Sequence, residues 1–207
     1  MLAHEAPDVV LRALEAQLRN STPGEHDGRF VRAVPGVQAN GLGGRDADLL
    51  ARIGAGVQPL DTVLRTRMEQ GALKRLVARG LVQVSALTPS DASHVLGRLD
   101  AWDGQAARMA CQLFGRRRTG AGDVLAAEPE RLAQMVVDQL THQTGLALLQ
   151  AALAEEGLDE ELATHVLMQT GLGGHTSFLK LETGLAVPVV GLGAAAVTYY
   201  PAVGTRM

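Results

Sequence analysis

The sequence predicts an α-rich α/β protein, on three observations. Apolar residues recur at helical spacing along most of the chain, as Val9, Val10, Ala13, Leu14 and Leu18 do near its beginning. Short β-like runs punctuate the helices at residues 29–34, 81–86 and 187–190. Between residues 45 and 87, three helical segments precede a β-like run, the order of a winged helix-turn-helix. Composition permits such a fold. Hydrophobic residues make up 46% of the 207 and aromatic ones only 3%, so the core must be aliphatic.

In chain order, residues 8–19 read as a first helix, stopped by Asn20-Ser21-Thr22-Pro23-Gly24. Residues 29–34 alternate weakly, as a short strand would. Residues 35–44 hold Pro35, Gly36, Gly41, Gly43 and Gly44 and read as a linker. Helices follow at 46–53, from Pro59 to 65, and at 70–79, the last with Leu73, Leu76 and Val77 inward. Gly80 ends it and 81–86 is a β-like run. Thr88 opens the next helix, whose stripe Ala92, Val95, Leu96 and Leu99 recurs at i, i+3, i+4 and i+7. Helical patterns continue over 102–117 and over 129–156, the latter with Leu132, Met135, Val136 and Leu140 on one side. Beyond residue 171 glycine and β-branched residues dominate. Residues 187–190 are expected to form a strand, 191–194 a tight turn, and 195–203 the start of a helix.

Several function classes are disfavoured. The net charge of −3 gives no global attraction to nucleic acid. The lone Cys111 excludes an internal disulfide and supports no cysteine-based zinc site; it reads as a small buried residue. The first residues lack the basic start and apolar core of a signal peptide. The run near 185–197 is Gly-rich and interrupted by Pro188, unlike a membrane span. A cytoplasmic protein is the expectation. Both ends read as interior to a longer chain, since residue 207 closes a segment that still resembles a helix start.

Residues 88–97 carry the most chemistry. Thr88 can cap a helix, Pro89 suits its first position, and Asp91 at the third completes a capping-box variant. The same residues put Asp91 and His94 on neighbouring helical positions, as an acid–base pair would need. Lys74, Arg75 and Arg79 suit phosphate contact by a recognition helix, although side chains suited to base edges are few, with Gln70 alone at its beginning. Gly191 and Gly193, followed by Ala194, form a strand-to-helix turn that could bring backbone N–H groups to an anion. Close packing explains these glycines equally well, and Tyr199 and Tyr200 read as a packed aromatic corner. His4, His26, His142, His165 and His175 show no metal-ligand spacing, so no metal site is assigned. Asp100 and Asp103 read as helix-terminus residues.

Together these blocks resemble the hydantoinase/oxoprolinase family, of the hydantoinase A type. The block Ser85-Ala86-Leu87-Thr88-Pro89-Ser90-Asp91-Ala92-Ser93-His94-Val95-Leu96-Gly97 is similar to the family's Thr-x-Thr-Asp-Ala…Leu-Gly motif, and Trp102-Asp103…Ala106-Ala107 continues it. Val187-Pro188-Val189-Val190-Gly191-Leu192-Gly193-Ala194…Tyr200-Pro201-Ala202-Val203 resembles its late strand–Gly–Ala–helix block.

The resemblance implies part of an actin-like, Hsp70-like ATPase domain carrying a winged-helix-like three-helix insertion. It implies ATP- and Mg²⁺-dependent opening of a small cyclic amide, a hydantoin or 5-oxoproline. Thr88, Ser90 and Asp91 are then candidate catalytic residues, with His94 beside them, and Gly191, Gly193 and Ala194 candidate nucleotide contacts. The family's Asp-x-Gly-Gly-Thr phosphate loop does not occur in these 207 residues. The chain is therefore expected to need an N-terminal domain or partner subunit and to be inactive alone. The expected division is 1–44 (helix and linker of the α/β domain), 45–87 (winged-helix-like) and 88–207 (helical and α/β C-terminal portion). Nucleic acid and membrane are not expected partners. The alternatives are a winged-helix DNA-binding or adaptor module and a structural interface subunit.

Overall fold

The computed structural model describes residues 2–173, 181, 183–193 and 196–205. It is helix-rich, and among the described residues the strands form one three-stranded antiparallel sheet. The chain divides into two compact units, residues 1–134 and 135–207, rather than at the boundaries 44/45 and 87/88 that the sequence suggests.

The first unit begins with a 3-10 turn, Leu2–His4, and helix α1, Pro7–Leu18, with Pro7 in the first turn, where a missing N–H costs nothing. Strand β1 is Phe30–Ala33 and helix α2 is Gly44–Ile53. A two-residue strand β2, Gln58–Pro59, leads into the one-turn helix α3, Leu60–Val63. Pro59 thus sits in a strand, and the helix expected from Pro59 to residue 65 shrinks to four residues. Helix α4 is Glu69–Ala78 and strand β3 is Val82–Ser85. The sheet order is β2-β1-β3, with Phe30 opposite both Pro59 and Ser85.

Neighbouring side chains of a strand point to opposite faces, and β1 is buried on both. Val31 joins the core of Leu49, Ile53, Leu60, Val63 and Leu76 formed by α2, α3 and α4. Phe30 joins a second core, with Val10 and Leu14 of α1 and with Ala106 and Leu113. Three helices precede β3 as the sequence suggests, but the sheet's central strand comes from residues 30–33, ahead of all three. Burying each large aliphatic side chain contributes about 1.5–3 kcal/mol, so β1 ties two separate sources of stability to one backbone.

Helix α5 is Pro89–Val95 and helix α6 is Gly104–Gly115. The stripe expected to run on to Leu99 stops at Val95, because Gly97 turns the chain at φ +67°. Asp103 caps α6 by accepting from the Ala106 N–H at 2.9 Å, the terminus role expected of it. Arg116, just past α6, donates to the carbonyls of Leu18 (2.6 Å) and Asn20 (3.0 Å), satisfying the open end of α1. Helix α7 is Pro129–Glu155. Along it the buried positions include Leu132, Ala133, Val137, Thr141, Leu149 and Leu153. Met135, Val136 and Leu140, expected inside, are only half-buried.

In the second unit, helix α8 is Val166–Gly173 and helix α9 is Ala196–Gly204. Leu149 and Leu153 pack with Ala163 and Leu172, supported by Leu146 and Met168. The strand expected at residues 187–190 is not formed. Val187, Val189 and Val190 are exposed without regular structure. Pro188 lacks the donor a ladder needs, and β-branched residues form a strand only beside a partner. No helix of the described residues is long and apolar enough to cross a membrane.

Candidate functional site

The start of α5 is built as its residues dictate. Thr88 has extended backbone and caps the helix, its Oγ1 accepting from the Asp91 N–H at 3.3 Å. Asp91 Oδ2 reaches back to accept from the Thr88 N–H at 2.8 Å and from the Thr88 hydroxyl at 2.6 Å. This is a complete capping box. A carboxylate 2.6 Å from a hydroxyl is also the arrangement in which a base takes a proton from a nucleophile. Here the hydroxyl proton is already committed to Asp91, and Asp91 is only 7% exposed. The atoms that would do the chemistry are the atoms that hold the helix start.

The neighbours separate into two groups. Ser90 is half-buried on the same turn. Ser93 is 1% exposed and its Oγ has no hydrogen-bond partner; His94 Nε2 is likewise buried without one. The capping contacts of Asp91 run to Thr88, one residue before Pro89 of α5. Cys111, on α6 against α5, is fully buried. Burial first, then the nearby charges of Asp91 and Glu130, push its thiol up to about 12. It is an inert core residue, as the sequence suggests.

The cations of α4 are mostly engaged. Arg75 holds Asp46 through two bonds, Nε to Oδ2 at 2.9 Å and Nη2 to Oδ1 at 2.6 Å. That hydrogen bonding holds the Asp46 carboxyl below its usual range. Arg79 donates to the carbonyls of Asn40 and Gly41. Glu69, bonded by Arg52 and by the N–H groups of Arg65 and Thr66 in the turn before α4, is held below the usual carboxylate range. Of the three expected phosphate contacts only Arg75 is in an ion pair among the described residues; Arg79 is held by backbone carbonyls, and Lys74 has neither kind of partner there.

The glycine turn of the second unit is packed at Gly191 and open at Gly193. A Cβ on Gly191 would lie 2.3 Å from the Tyr200 ring, and Gly193 turns at φ +105°. Beside them is a cavity of about 330 Å³ whose walls include Leu148, Val189, Val190, Leu192 and Val203. Thr144 and Tyr200 are its polar side chains, and no cation lines it among the described residues. Those residues do not fit a triphosphate, which needs cations and converging N–H groups. Ala194 and His175 lie outside the described residues. No three of the described His, Cys, Asp and Glu residues gather where they could hold a metal ion.

Comparison with family models, with curated proteins and with solved structures returned no match. Function therefore rests on the residues themselves. Sequence reasoning missed one grouping altogether. His26, Arg29, Gln70 and Lys74 come together around an aliphatic cleft beside α4. The available signal was the spacing of Gln70, Leu73, Lys74, Val77 and Ala78, a second stripe on the helix face opposite Ala72 and Leu76.

Proposed function

We propose that this chain is a portion of an ATP-dependent cyclic-amide hydrolase of the hydantoinase/oxoprolinase type, opening a hydantoin or a 5-oxoproline ring. The observation that carries the reading is the segment of residues 88–97, which resembles that family's motif and is held as a buried capping box. A ring amide is a poor electrophile, and phosphorylating its oxygen makes it a better one. In that scheme Thr88 and Asp91 are positioning residues, fixing the start of α5, and Ser90 is the further hydroxyl of the same turn that the family motif assigns to the site. The actin-like fold belongs to the same proposal. ATP and Mg²⁺ would be held by a segment or subunit carrying the Asp-x-Gly-Gly-Thr loop, because Tyr200 packs against Gly191 and no cation lines the cavity beside it among the described residues.

The test is reconstitution. Co-purified with a hydantoinase-type portion bearing that loop, the chain should support ATP-dependent opening of 5-oxoproline or hydantoin, followed by product and ADP release. Ser90→Ala should lower turnover at least tenfold with unchanged unfolding. A stable complex with neither ring opening nor ADP release would sink the proposal.

The helix and strand order around α4 suggests a second reading, a winged-helix nucleic-acid module, but Arg75 and Arg79 are bonded within the protein. Phosphate binding releases counterions and weakens steeply with salt. Duplex-DNA binding that falls steeply between low and moderate salt would support this reading; no binding at low salt, the result expected here, would retire it.

A further inference from the structure

A cleft of about 380 Å³ lies where the outer face of α4 meets β3 and the loop preceding β1. Leu60, Leu64, Leu73, Val77 and Val84 make its walls aliphatic. Val77 and Val84 are exposed there, although both belong to regular elements whose other faces are buried. An apolar surface left open in a concave site gains by covering itself, and cavities of roughly 300–1,000 Å³ take small molecules.

The polar residues at this cleft are mainly donors. Arg29 and Lys74 have no carboxylate partner among the described residues, whereas Arg32, Arg52, Arg75 and Arg108 each have one. Glu25 is the one acid lining the cleft, and its Oε1 already accepts from Gln70 Nε2 at 3.1 Å. His26 Nε2 lies 3.4 Å from Gln70 Nε2, and His26 Nδ1 is buried with no partner. Burial first, then the charge of Arg29, lowers the basicity of Arg117, with Asp27 opposing. Apolar walls with two uncompensated cations call for a ligand with an apolar body and one anionic end.

We propose that this cleft binds a small organic carboxylate, its apolar body against Leu64, Leu73, Val77 and Val84 and its carboxylate toward Arg29 and Lys74. Arg29 offers a planar fork that can take both carboxylate oxygens, and Lys74 a point charge beside it. The proposal is independent of the cyclic-amide reading, since none of Thr88, Ser90 or Asp91 lines the cleft.

Titration of the full chain with phenylacetate, with hexanoate and with the neutral phenylacetamide, followed by amide chemical shifts, tests it. Saturable shifts should fall on residues 25–29, 60–64, 70–78 and 84, with phenylacetamide weaker by about tenfold, the equivalent of about 1.4 kcal/mol. Lys74→Gln should weaken phenylacetate about fivefold to tenfold, and Val77→Asp should abolish saturation. Both side chains are exposed, so the spectrum away from the cleft should be unchanged in either variant. Equal binding of phenylacetamide, saturable shifts centred elsewhere, or no saturation by about 10 mM phenylacetate would each overturn the proposal.

Discussion

Thr88→Ala removes the hydroxyl that both accepts from the Asp91 N–H and donates to Asp91 Oδ2. Loss of an N-cap costs about 1 kcal/mol, and a buried carboxylate left short of a donor adds to it, so about 1–2 kcal/mol should disappear from the stability measured by urea unfolding. Thr88→Ser keeps both bonds and should stay within a few tenths of a kcal/mol. This pair of variants separates the cap from any chemistry, since neither stability change depends on nucleotide or substrate. The cap was legible in the sequence because every atom of it lies within four residues. The engagement of Arg75 and Arg79 was not, since Asp46 lies 29 residues and Asn40 lies 39 residues away along the chain. A cation on an exposed helix face reads the same whether it meets a phosphate or a carboxylate of its own protein.

Among the elements, the contact of α6 with the loop before β1 depends on Gly28. Its backbone sits at φ +73°, its N–H donates to the buried Gln17 Oε1 at 2.9 Å, and a Cβ there would lie 2.6 Å from the Phe114 ring. Gly28→Ala combines left-handed strain with an overpacked core and should lose about 2–4 kcal/mol. Gly36→Ala is the control: φ is +75° but nothing lies within 4 Å, so only the backbone penalty of about 1–2 kcal/mol should appear. Thermal and urea unfolding of the two variants measure the difference. Helices α1, α4, α5 and α6 were readable because stripe, cap and stop are local signals. Strand β1 was readable as a strand but not as the centre of the sheet, because burial on both faces erases the alternation that would reveal a partner. Residues 187–190 misled for the complementary reason. β-branched composition says what a strand tolerates and says nothing of whether a neighbouring strand exists. The cleft beside α4 draws its walls from four separated stretches of chain, which no single window of sequence displays.

Across the whole molecule, Cys111 reports on the integrity of the first unit. Its thiol is fully buried and held up to about 12, so it should resist a thiol reagent in the native protein and react at the rate of unfolding. The sign with pH follows from the same shift. Below the ordinary value of 9.0 the thiol is neutral in both states and stability is unaffected. As pH rises from there toward 12 the unfolded chain ionises first, and stability falls. Cys111→Ala should remove that alkaline decline, and labelling of the native protein at neutral pH as fast as of a urea-unfolded sample would contradict the assigned burial. The adjacency of Phe30 and Val31, one facing each core of this unit, has a consequence for synthesis. Apart from α1, β1 leaves the ribosome before the elements it packs on: β3 is completed at Ser85 and the α6 contact at Leu113. At translation rates of about 5–20 residues per second, the wait for β3 alone is about 3–11 s. Through that interval a Phe-Val pair with α1 alone to pack on is offered to whatever chaperone patrols the exit tunnel.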